Sequence, residues 1–199
     1  MQSRLPTEER QAEIVAAALL LAREVSPALI TTSDLAAAVG VTQGAVFKHF
    51  PTKDAIWLAA MCWVSEQLLS VLETAAGKAG TPLEALAAMF KAHIGFVTTH
   101  PGVPRLIFHE LQRPSDSPIK QEVRNLLKSY RKLLRNLLDA AVARGEVSAQ
   151  VDLEAAATLF VGVVQGLVMQ SMTTGNAVAM KAQADPVFAI YRRGISKAL

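Results

Sequence analysis

The 199-residue chain has one cysteine, eleven aromatic residues and only 19% charged residues. A lone Cys62 excludes an internal disulfide and points to a reducing, cytoplasmic compartment. With 51% apolar residues the chain can bury a sizeable core, which excludes a disordered tail; nine prolines and eleven glycines exclude a collagen-like repeat. No segment alternates with a period of two long enough to build a sheet. Long apolar runs are also missing. Ile14 to Ala22 is nine apolar residues, but Glu8, Glu9 and Glu13 precede it and Arg23-Glu24 close it, which fits a helix better than a leader. Ala155 to Met169 is broken by Thr158 and Gln165, and it falls short of the roughly 20 residues of a bilayer span. No membrane association is expected.

Helix punctuation is what remains. Pro6-Thr7-Glu8-Glu9 opens a first helix reaching about Val25, with acidic residues at the positive end of its dipole and Ile14, Ala17, Ala18 and Leu21 on one face. Thr31-Thr32-Ser33-Asp34 is a capping box for a short second helix that stops at Val39-Gly40. Thr42 caps a third helix, Gln43 to about Phe50, and Thr52-Lys53-Asp54 starts a fourth that reaches about Ala76. Thr81-Pro82-Leu83-Glu84 combines a cap, a first-turn proline and a capping-box glutamate. Four further helices follow: about Val103 to Leu111, a long one to Ala143, a very apolar one from Asp152 to about Thr173, and a last one to Lys197. The sequence predicts an all-α protein of about nine helices in two parts, 1–55 and 56–199.

The stretch Thr31 to Phe50 has the spacing of a helix-turn-helix. Ala36, Ala37 and Ala38 let the two short helices approach, and Leu35, Val39 and Val46 can seal them onto the first helix. The third helix presents Gln43, Gly44, Phe47, Lys48 and His49. An amide suits base edges, a glycine allows close approach, and cationic or imidazole donors suit phosphate.

Residues 14 to 54 resemble the DNA-binding domain of the TetR family of transcriptional regulators. The resemblance rests on Thr31-Thr32, Leu35-Ala36, Gly40-Val41-Thr42, Gly44, Phe47, His49-Phe50 and Lys53-Asp54. It implies an N-terminal three-helix DNA-binding domain and a larger helical domain for effector binding and dimerisation. It also implies that Thr32 and Thr42 hold phosphates, with Ser33 beside them at the start of the second helix, that Gln43 and Lys48 read base edges, and that His49 and Lys53 contact phosphates. Two departures stand out: Phe47 replaces the family's usual tyrosine, and Ser26-Pro27 replaces the usual glycine after the first helix.

The implied partners are an operator in double-stranded DNA, a second copy of the chain and an unidentified small-molecule effector. For the homodimer, the helix from Asp152 is apolar nearly all round and carries Gly162 and Gly166 four apart, which demands burial on several sides. Phe160, Gly162, Val163, Gly166 and Leu167, with Phe188, Tyr191 and Ile195 of the last helix, are its interface candidates. For the effector, Trp57, Met61, Met89, Phe90, His93, Phe96, Phe108, Tyr130 and Met169 lie on helices that surround the family's cavity, although core packing accounts for any one of them as well. A rival reading, a metal-dependent enzyme or ligand-binding module without DNA function, uses His93, His100 and His109. Neighbouring metal ligands on a helix sit three or four apart, whereas His93 and His100 are seven apart and no HExxH or CxxC pattern occurs. Neither catalytic residues, nor a metal, nor a cofactor is expected.

The net charge of +3 does not come from the DNA-reading segment. Residues 1–55 hold five Lys or Arg against six Asp or Glu, while residues 118–145 hold seven against two. Lys120, Arg124, Lys128, Arg131 and Arg135 form a stripe of helical spacing opposite Val123, Leu126, Leu127, Tyr130, Leu134 and Leu137. A solvated face is the plain reading of that stripe, and an acidic partner the sharper one.

Overall fold

A computed structural model describes residues 6–197, and these form nine α-helices and no strand. They are α1 (Thr7–Leu21), α2 (Thr32–Ala38), α3 (Gln43–His49), α4 (Lys53–Gly77), α5 (Pro82–Thr99), α6 (Gly102–Gln112), α7 (Pro118–Ala143), α8 (Leu153–Thr174) and α9 (Ala177–Ile195). The capping chemistry sets many of the boundaries. Thr31 accepts from the Asp34 amide while the Asp34 carboxylate accepts from the Thr31 amide and hydroxyl, a reciprocal box that opens α2. Those bonds hold the Asp34 carboxyl below the usual carboxylate range, the backbone amide contributing most. Thr81 and Glu84 repeat the device at α5, and Asp152 and Asn176 cap α8 and α9. Gly40, Gly145 and Gly175 take up the left-handed backbone at three helix ends. The first helix is shorter than the sequence predicts. Its α-helical ladder gives way after Leu21 to tighter bonds, Arg23 N–H to Leu20 O and Glu24 N–H to Leu21 O.

The chain forms two compact units, and their membership differs from a division at residue 55. One unit holds residues up to 66 together with 100–124; the other holds 67–99 and 125–199. In the first unit, Leu35, Ala36 and Val46 are buried with Ile14 and Ala18 of α1, so α2 and α3 are fixed to α1 as the apolar pattern demands. Val39 is half-buried, and Ala37 and Ala38 are exposed. Helix α6 also belongs here. Its Gly102 lies against the backbone of Leu19, where a Cβ would come 2.1 Å from the Leu19 carbonyl oxygen.

The second unit is built on α5, α8 and α9, which pack on one another, with the greater part of α7. Its centre is aromatic. Phe160 contacts Phe90 at 5.5 Å and Tyr191 at 5.5 Å between ring centroids, both edge-on, and Phe188 lies 5.4 Å from Phe90. Edge-on rings of this kind add to the burial of their area. Tyr191 also donates its hydroxyl hydrogen to the Ala156 carbonyl at 3.1 Å, so a buried polar atom is satisfied and α9 is tied to α8.

Candidate nucleic-acid interface

Helix α3 is pinned by its buried side and free on the other. Val46 is fully buried and Phe50 nearly so, whereas Thr42, Gln43, Gly44, Phe47 and Lys48 are exposed. Thr42 accepts from the Ala45 amide at 3.3 Å, which fixes the start of α3. Phe47 leaves 45% of its surface in solvent, an unusual position for a large aromatic ring, beside the cationic Lys48. At Gly44 an added Cβ would meet nothing within 4 Å, so its missing side chain is not explained by packing inside the chain.

The sequence-predicted residues divide by their surroundings. Thr32 and Gln43 are brought together across the turn: the Gln43 Nε2 donates to the Thr32 Oγ1 at 2.6 Å. Ser33 is exposed at the start of α2. His49 is half-buried, its backbone carbonyl accepts from the Gln11 Nε2 at 3.0 Å, and its buried Nδ1 has no hydrogen-bond partner. Lys53 is half-buried too. Its Nζ donates to the Ala28 carbonyl at 2.9 Å, and partial burial pulls its pKa down from the usual lysine range. In this structure, therefore, Lys53 ties the start of α4 to the turn after α1, a role that the motif alone does not disclose. Lys53 also lines a small cavity of about 200 Å³ together with Trp57, His109, Glu110 and Arg113.

The effector candidates fall into the two units. Trp57, Met61 and Phe108 lie in the first, where Trp57 and Met61 are buried and Phe108 is half-buried. In the second, Met89, Phe90, Phe96 and Tyr130 are buried, and the His93 Nδ1 lies 3.0 Å from the Tyr130 hydroxyl. Burial pushes the His93 imidazole down to about 4 and raises the Tyr130 phenol, so both are neutral near pH 7. Met169 departs from expectation. It points outward with 47% of its surface exposed, because its turn of α8 packs through Leu167 and Val168 instead.

Among the interface candidates, Phe160, Leu167, Phe188, Tyr191 and Ile195 are buried within the chain and form its own core. The outward faces carry other residues: Leu159 (54% exposed) and Gly162 on α8, and Val178 and Ile190 (62% exposed) on α9. Val163 and Gly166 are half-buried at the margin, and a Cβ at either Gly162 or Gly166 would meet nothing. Leu159 and Ile190 stand in the sequence among the apolar residues of these two helices, and nothing local sets them apart as the outward ones. For Leu159 the signal is its helical spacing from Gly162, Gly166 and Met169 once the buried face of α8 is known, and for Ile190 it is its place off the buried face of α9 that Phe188, Tyr191 and Ile195 define.

The three histidines of the rival reading have separate surroundings. His93 pairs with Tyr130, His100 and Trp63 meet edge-on with their ring centroids 5.4 Å apart, and His109 lines the small cavity. Among the described residues no three His, Cys, Asp or Glu side chains gather as a metal site would require. In the basic stripe, Lys120 donates to the Arg113 and Ser115 carbonyls, Arg124 reaches both Asp116 oxygens at 2.9 Å, and Arg135 bridges Asp139 and Glu154. Those three cations serve helix and loop positioning, which favours the plain reading of the stripe.

Comparison with known proteins covers both parts of the chain. Residues 14–60 match the family described as bacterial regulatory proteins, tetR family, and residues 110–185 match the tetracyclin repressor-like C-terminal domain. The nucleoid occlusion factor SlmA of Actinobacillus pleuropneumoniae is 26% identical over 138 residues, 69% of this chain and 68% of that protein. A TetR transcriptional regulator from Chloroflexus aurantiacus superposes with a TM-score of 0.83 at 20% identity, over 96% of this chain and 98% of that one. The regulator FadR from Bacillus subtilis, solved in complex with stearoyl-CoA, superposes with a TM-score of 0.81 at 21% identity, over 92% and 98% of the two chains.

Proposed function

The chain belongs to the TetR family of bacterial regulatory proteins, and from this we propose that it is a transcriptional repressor that binds a near-palindromic operator as a homodimer and is released by a small molecule. In this reading residues 1–55 read DNA, residues 56–199 carry dimerisation and effector binding, and the protein acts in the cytoplasm. The observation that carries it is the outer face of α3. A helix locked by buried Val46 offers an amide, a bare glycine that no packing inside the chain requires, a half-exposed aromatic ring and a lysine, a set suited to a major groove.

The exposed apolar residues of α8 and α9 support the homodimer. These helices pack on each other, so Leu159, Met169 and Ile190 belong to surfaces that a second copy can cover in a two-fold four-helix arrangement. Two-fold pairing is also what places two recognition helices about 34–36 Å apart, as successive major grooves require. The neutral His93–Tyr130 pair amid Phe90, Phe160 and Phe188 supports an effector that is mainly apolar with a single polar group. Of the stearoyl-CoA held by the FadR neighbour, only the acyl chain is of that class, since the coenzyme A part is large and anionic.

The test is selection of bound duplexes from a random pool by the purified full-length protein. Enrichment of one inverted-repeat sequence, with affinity that falls steeply as salt rises, is the expected result. Recovery of an unenriched pool overturns the DNA reading.

A further inference from the structure

The bond between Gln43 and Thr32 limits what Gln43 can read. A carboxamide has two N–H donors on nitrogen and one carbonyl acceptor. The 2.6 Å bond from the Gln43 Nε2 to the Thr32 Oγ1 uses one donor and fixes which end of the amide faces Thr32. One N–H and the Oε1 are left, on an exposed side chain at the first residue of α3. We propose that Gln43, oriented by Thr32, selects adenine at one position of each operator half-site; this rests on the DNA-binding reading above.

The choice follows from the edges that the four bases present in the major groove. Adenine offers an acceptor at N7 beside a donor at N6, which complements one free N–H beside one free carbonyl. Guanine offers two acceptors, N7 and O6, so its second acceptor faces the Gln43 carbonyl and is repelled. Cytosine supplies only a donor and thymine only an acceptor beside its methyl group, so each leaves half of the amide unmatched. Thr32 is the positioning residue. By accepting from Gln43 it keeps its own hydroxyl hydrogen for a phosphate oxygen, so one backbone contact and one base contact are linked through a single hydroxyl. Its place also makes it separable from folding, because the α2 cap is Thr31 and not Thr32.

The experiment starts from the duplex selected by the wild-type protein and measures affinity for all four bases at each half-site position. Gln43→Ala identifies the position it reads as the one where discrimination disappears. The expected result is that adenine is preferred there roughly tenfold or more over guanine. Thr32→Val, which removes the hydroxyl at nearly constant shape, then erases most of that preference while discrimination elsewhere is kept, and Thr32→Ser restores it. Matched thermal midpoints show that Thr32→Val is folded. A preference for guanine at the Gln43 position, or a Thr32→Val protein that discriminates like the wild type, overturns the proposal while DNA binding stands. If the wild type enriches no sequence, the DNA reading falls, and the proposal with it.

Discussion

Gly102 and Leu19 approach so closely that a methyl group placed on Gly102 would sit 2.1 Å from the Leu19 carbonyl oxygen and 3.2 Å from the Ala22 Cβ. Backbone, not a flexible side chain, blocks the space, so the first turn of α6 can rest on the last turn of α1 only without a Cβ. Gly102→Ala is expected to destabilise the protein by about 1–3 kcal/mol, the usual cost of overpacking. Urea unfolding measures it. A variant as stable as the wild type would show that α6 does not rest on α1 in this way.

The contact joins two residues that no local pattern in the sequence connects. In sequence, His100-Pro101-Gly102 reads as the end of one helix and a break before the next, which it is. Nothing local says that Gly102 also meets a residue more than eighty positions earlier, and so the grouping of residues 100–124 with the N-terminal helices was not legible. Caps were legible because their chemistry is local: Thr31 with Asp34, Thr81 with Glu84, Gly40 at its turn. The outward side of α3 was legible only in part: Gln43 and Lys48 mark it, but Val46 stands between apolar Ala45 and Phe47, and only packing turns Val46 inward and leaves Phe47 exposed. Helix α8 gave no such contrast. Leu159 and Phe160 look alike in an apolar helix, and only packing against Phe90 and Tyr191 turns Phe160 inward and Leu159 outward. The second role of Lys53 was hidden too, because the Ala28 carbonyl that holds it lies 25 residues away in sequence.

His93 gives a pH signature. Its imidazole titrates at about 4 in the folded chain against an ordinary value of 6.5, because burial disfavours the cation. Between these values the unfolded chain binds the proton and the folded one does not, so this residue's contribution to stability is full above 6.5 and is lost as pH falls toward 4. The loss is at most about 3 kcal/mol. The unfolding free energy of the wild type minus that of His93→Leu is expected to decrease as pH is lowered from 7 to 4.5. A constant difference would show that His93 is not held neutral by burial.

The α8 and α9 surfaces separate folding from association. Leu159→Glu and Ile190→Glu place charges on exposed positions and are expected to change monomer stability by no more than about 0.5 kcal/mol. On the proposed dimer they convert the species seen by sedimentation to monomer. Phe160→Ala, by contrast, removes the centre of the aromatic cluster and is expected to cost about 3–5 kcal/mol of stability. Charged variants that sediment as the wild type does would place the dimer contact elsewhere.

Whether the outer face of α3 meets DNA is decided by the affinity of Gly44→Leu for the selected duplex. Inside the chain a side chain at residue 44 has open space, and replacing a glycine in the first turn of a helix relieves a backbone entropy cost of at most about 0.5–1 kcal/mol. The expected result is a thermal midpoint at or above that of the wild type, together with loss of sequence-selective binding by a hundredfold or more, on the order of 3 kcal/mol. Wild-type affinity in the Gly44→Leu protein would contradict it, because no helix can enter a groove through a face where an added leucine goes unnoticed.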